Sequence, residues 1–115
     1  MKLSELNNYV LHDSSILNVT KKDTRVTFEI MYCLFMQDGY KDGDPENAKV
    51  ELTFNDVEEF NSERDSYDSD EILEIKIEDN IITFVVEDFN HETYNIKLKA
   101  GSFDFNIVET INSLT

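Results

Sequence analysis

The sequence predicts a mainly β fold: an antiparallel sandwich or strongly curved sheet of about seven strands, with one or two short helical segments. Three observations carry that expectation. Apolar residues recur with a period of two from Ile16 onward. The recurring residues are Val, Ile, Leu, Phe and Tyr, with Thr among their alternates, and most of these types fit a pleated, half-buried surface. The connections are too short for the helical crossovers that parallel strands need. At 115 residues a single domain, 1–115, is expected. An apolar content of 40%, with 8 Phe and 5 Tyr, supplies a core in spite of the charge.

Taken in order, Leu3, Leu6 and Val10 fall on one side of an N-terminal helical turn. Leu17 and Val19 then alternate with Asn18 and Thr20. After the polar Lys21-Lys22-Asp23-Thr24, alternation resumes through Val26, Phe28, Ile30, Tyr32, Leu34 and Met36, which makes a hairpin. The other face of that second strand is also apolar at Met31, Cys33 and Phe35, so its later half is central in the sheet or covered by a partner. Gln37 to Asn47 holds two of the 3 glycines and the only proline, the composition of a surface loop. A third strand follows from Ala48 to Phe54. Asn55-Asp56 then caps one helical turn that sets Val57 and Phe60 on one side, and a polar loop runs from Asn61 to Asp70. Leu73, Ile75 and Ile77 begin four strands expected to form a meander. Asp79-Asn80 turns into Ile82, Phe84 and Val86, Asn90-His91-Glu92 into Tyr94, Ile96, Leu98 and Ala100, and Gly101-Ser102 into Phe103, Phe105 and Ile107.

The net charge is -15 and it is polarised. Acids and bases balance in residues 1–37 and again in residues 93–115, so residues 38–92 carry the whole excess against Lys41, Lys49, Arg64 and Lys76. Such a field attracts a basic protein or a cation and repels nucleic acid. No apolar run approaches the roughly 20 residues of a membrane span. The opening Met1 to Asn8 lacks the apolar core of a signal peptide, and 1 cysteine cannot close an internal disulfide, so the cytoplasm is the expected compartment.

Catalytic and metal chemistry find little support. His12-Asp13 offers two ligand types, but only His91 could join them, and Asp13-Ser14-Ser15 reads more simply as backbone capping before the first strand, with His12 partly buried beside it. Asp38 to Asp44 matches a calcium loop at its first, fifth and sixth positions, yet Tyr40 and Lys49 stand at the third and twelfth, where ligands belong. Asp65 to Glu71 is acidic without ligand spacing. Cys33, between Tyr32 and Leu34, packs as a small hydrophobe. There is no glycine-rich phosphate loop and no nucleophile elbow. The expectation is a protein that is not an enzyme, with no catalytic residues, no metal and no cofactor.

The stretch Tyr9-Val10-Leu11-His12-Asp13-Ser14-Ser15-Ile16 leads into the first strand, and Val50, Leu52, Phe54 and Val57 follow downstream. Together they resemble the openings of small, acidic, β-rich bacterial families of unknown function, some of them similar to immunity proteins of polymorphic toxin systems. The resemblance implies a small cytoplasmic protein that neutralises a toxin domain by binding it. It carries no catalytic residue across.

Resemblance and charge together point to a protein-binding module, an immunity-like inhibitor that sets its acidic middle segment against a basic partner such as a nuclease toxin. The residues expected at that contact are Tyr40, Asp65, Tyr67, Asp68, Asp70 and Glu71. Three alternatives stand beside it: a DNA mimic, a weak metal-binding protein in which His12 and His91 converge, and a structural domain that self-associates through Met31, Cys33 and Phe35.

Overall fold

A computed structural model describes residues 1–111, and in it eight antiparallel strands form one continuous sheet. They are β1 (Ser15–Lys22), β2 (Arg25–Cys33), β3 (Asn47–Asn55), β4 (Glu59–Ser62), β5 (Asp70–Glu78), β6 (Ile81–Glu87), β7 (Thr93–Lys99) and β8 (Ser102–Ile111). Two 3-10 turns, Leu3–Asn8 and Leu34–Met36, complete the regular structure of the described residues. The spatial order is β4-β7-β6-β5-β1-β2-β3-β8.

The sheet bends between β1 and β5, which share only the pairs Ser15–Glu71 and Ile16–Asp70. Bending there lays the β2 side of the sheet against the β6 side. Phe28 and Phe84 stack at 4.6 Å between ring centres, and Phe54 meets Phe28 edge-on at 5.6 Å. Alternate residues of four strands enter the shared core: Val26, Phe28 and Ile30 from β2, Val50, Leu52 and Phe54 from β3, Ile82, Phe84 and Val86 from β6, Ile96 and Leu98 from β7. The N-terminal segment spans the molecule from β8 to β5. Met1 exchanges two hydrogen bonds with Phe103 (2.8 and 3.0 Å), Leu3, Leu6 and Leu11 are buried, and the Asp13 amide donates to the Ile72 carbonyl.

Several expectations need correction. Asn55-Asp56 does not start a helix: Asp56 takes a left-handed φ of 53°, the Glu58 amide donates to the Lys99 carbonyl, and Glu59–Ser62 becomes an edge strand on β7. The last four strands are not one meander. β4 occupies the free edge of β7, and β8 instead crosses to pair with β3 along its length. β2 ends at Cys33, after which Leu34–Met36 turn, so Met31, Cys33 and Phe35 form no continuous stripe: Cys33 is buried and Phe35 exposed. Leu17 and Leu73 are not the core residues of their strands. Each sits at a β-bulge, and the buried positions are Ile16 and Ile72. Val10 is exposed, and Leu11 takes its place in the core.

Strict alternation of strand direction gathers the connections into two sets. The segment before β1 and the β2–β3, β4–β5 and β6–β7 connections all lie at one end of the bent sheet. The short turns at Asp23-Thr24 and Asp79-Asn80 lie at the other, with Asp23 and Asp79 supplying the positive φ those tight turns require.

Candidate functional site

The loop-bearing end is the acidic end. Residues 12–14, 34–46, 63–69 and 88–92 hold ten carboxylates against Lys41 and Arg64. Folding therefore concentrates at one pole much of the charge that the sequence spreads over its middle segment.

The β6–β7 hairpin is the most organised part of that pole. Asp88, nearly buried, accepts from the Asn90 amide (2.9 Å) and the Glu92 amide (3.0 Å) through one oxygen and from Arg64 Nη1 (2.9 Å) through the other. The Glu92 amide, with Arg64 and the Asn90 amide behind it, holds the Asp88 carboxyl below the usual carboxylate range, against the opposing effect of desolvation. Arg64 also reaches Glu92 at 3.6 Å and lies over the Tyr94 ring, 4.6 Å from its centre. Behind it the Tyr94 hydroxyl donates to Asp70 at 2.5 Å, and burial followed by that acceptor pushes the Tyr94 pKa well up. The loop so held carries Phe89, whose surface is 75% exposed. An isolated aromatic ring is thus presented to solvent on a fixed loop among Glu87, Asp88 and Glu92.

The expected contact residues separate on this scaffold. Asp65 and Asp68 are exposed on the β4–β5 connection. Tyr67 is half-buried, its hydroxyl 2.7 Å from Ser62 Oγ and 3.1 Å from the Arg64 carbonyl, so it braces the loop. Asp70 is a correction. It is 4% exposed and satisfied by Tyr94, so its carboxylate does not face a partner. Glu71 is half-buried, opposite Glu87 across the β5–β6 ladder and beside the Asp13 carboxyl; desolvation first, then Asp13, raises its pKa. Tyr40 lies on the β2–β3 connection, donating to the Asp44 carbonyl at 2.9 Å.

His12 is exposed rather than partly buried, and it faces Asp13 at 3.2 Å, while His91 faces Glu87 at 3.6 Å, so each histidine has its own carboxylate. Among the described residues no group of three or more His, Cys, Asp and Glu side chains could hold a metal ion. Ser14, fully buried, accepts the Cys33 amide at 3.0 Å, the capping role expected of that segment. Burial, chiefly, raises the Cys33 pKa and leaves the group a thiol. No described helix is long and apolar enough to cross a membrane.

Phe89 and the Arg64–Asp88 pair were missed at the level of sequence. The signal available was small: Phe89 is an apolar residue inside a turn, out of phase with the strands on either side. Comparison with family models, curated proteins and solved structures returned no match.

Proposed function

We propose that this chain is a protein-binding module that seats its acidic pole on a basic protein, acting as an immunity-like inhibitor of a toxin or nuclease. The observation that carries this reading is Phe89, 75% exposed on a hairpin loop that Asp88 and Arg64 fix from behind. An aromatic ring held in place loses little conformational freedom on docking, and anchors of this kind dominate interface energetics. The carboxylates around it supply steering: a protein that cuts nucleic acid must be basic at its substrate groove, and an acidic pole is drawn to such a groove. Asp65, Asp68, Glu71 and Tyr40 belong to the same pole and form the rim of the contact. The reading needs no cofactor and no catalytic group.

The test is capture on immobilised protein from a lysate of the source cell, run in parallel with Phe89→Ala and with a triple variant carrying Asp65→Asn, Asp68→Asn and Glu71→Gln. A basic protein should be retained by the native chain and released by salt. Phe89→Ala should speed its dissociation at least tenfold, and the triple variant should slow its association by a similar factor. Equal retention of one basic protein on all three surfaces, with the fold intact, counts against the acidic pole as the interface.

A further inference from the structure

The outer edge of β8 runs along a trough. One cavity of about 500 Å3 lies among Tyr9, Tyr32, Gln37, Asp38, Phe105 and Ile107. A second, of about 290 Å3, extends past Leu34, Tyr40 and Asp44 to Thr110. Gln37, Asp38 and Ile107 border both, so the two form one channel beside the strand.

The β8 wall of this channel is unpaired backbone. In an antiparallel ladder the N–H and C=O of one residue point to the same side, and successive residues alternate. Phe103 spends both groups on Met1, on the side away from β3. Phe105 and Ile107 therefore face the same way, and the register shift opposite Lys49 brings Thr110 outward after them. Among the described residues none of these three amides has a backbone partner on that side. Ile107 is 53% exposed. Phe105, Ile107 and Thr110 thus line the trough with their hydrogen-bonding groups free, while Asn106 between them turns its own toward β3.

We propose that the trough receives an extended, basic segment of a partner protein, which adds to β8 as a ninth strand. Main-chain hydrogen bonds to Phe105 and Ile107 set its register, and every second side chain enters the channel. Apolar side chains pack on Tyr9, Phe105 and Ile107; Lys or Arg side chains lie beside Asp38 and Asp44. A second copy of this chain is the poorer occupant, because its own β8 brings Asp104 and Glu109 and no base to a wall that is already acidic. The trough shares Tyr40 with the rim of the acidic contact but no residue with the Phe89 hairpin, so Phe89→Ala and Ile107→Pro test the two surfaces separately.

A random heptapeptide display library, selected on the folded protein, tests this. Two variants serve as counter-surfaces. Ile107→Pro removes one outward N–H at an edge position, where proline is tolerated, and Asp38→Lys reverses the wall charge without touching the backbone. The expected result is a set of peptides alternating apolar residues with Lys or Arg, whose synthetic copies bind the native protein at least tenfold more tightly than either variant and shift the amide resonances of Phe105 and Ile107. Should Ile107→Pro fail to fold, Asp38→Lys and the resonance shifts decide. The proposal is overturned if no peptide is enriched, if the enriched peptides are acidic or unpatterned, if the variants bind them equally, or if the native protein dimerises through β8 in sedimentation.

Discussion

Glu71 holds its proton more tightly than a free glutamate because desolvation, the Asp13 carboxyl and the Glu87 carboxyl all disfavour its charge, with His12 alone opposing them. Its pKa is therefore higher folded than unfolded. The stability it contributes is complete below the unfolded pKa and is lost as pH rises through the folded one. Glu71→Gln should raise the unfolding midpoint at pH 7 and flatten the loss of stability as pH rises above the ordinary glutamate range, as read by thermal melts across pH. Asp88 works in the opposite sense. Its pKa is depressed, so its contribution is present above the unfolded pKa and lost as pH falls through the folded value, and Asp88→Asn should lower stability at pH 7 while softening the acid limb. Phe28→Ala should cost about 3–5 kcal/mol by urea unfolding with an unchanged denaturant slope, because the ring fills the contact between the two sides of the sheet. The site was legible in part at this scale. Asp65 and Asp68 can be read as surface acids from their polar surroundings, but nothing local distinguishes Asp70 from them. Its burial is set by Tyr94, 24 residues away, and so is visible only after folding.

β1 and β5 mark the limit of what periodicity can say about an element. Ile16-Leu17 and Ile72-Leu73 are each pairs of adjacent apolar residues, and either member can start the alternation. The sequence pattern favours the leucines because they are in phase with Val19 and with Ile75. A bulge in each strand breaks the phase and turns Ile16 and Ile72 inward instead. Both bulges sit beside the two-pair seam, where the extra twist they add lets the sheet bend. β3 and β7 hold no such dyad and are readable to within a residue or two; in β6, Phe84 lies between the pairs Ile81-Ile82 and Val85-Val86 and fixes the phase on Ile82 and Val86. β4 is not readable, because its few residues match a helical turn as well as a strand, and the choice is made by the hydrogen bonds that β7 leaves open at its edge. The seam leans on Ser14: its carbonyl accepts the Ile72 amide of β5 at 2.8 Å, and its fully buried hydroxyl satisfies the Cys33 amide at the end of β2. Ser14→Ala should leave that amide unpaired and cost about 1–3 kcal/mol, with the fastest hydrogen exchange of the sheet interior appearing at Ser15 and Ile16.

Over the whole molecule, folding turns a charge imbalance into a pole. Three connections and the segment before β1, brought to one end by strict antiparallel order, concentrate carboxylates that the chain holds well apart, so the folded state contains like-charge repulsion that the extended chain largely escapes. Added salt screens this repulsion and should raise the unfolding midpoint as the Debye length falls from about 30 Å toward about 8 Å. The same screening weakens the pull on a basic partner, so the association rate should fall over the same range. A pole that serves solubility alone accounts for the first response and not the second. Asp42→Asn, Asp65→Asn and Asp68→Asn combined remove three exposed charges from two of the connections. In that variant the salt dependence of melting should shrink together with the salt dependence of association, while the low-salt melting temperature rises. A shallower melting response with an unchanged association rate would separate the two roles and move the contact away from Asp42, Asp65 and Asp68.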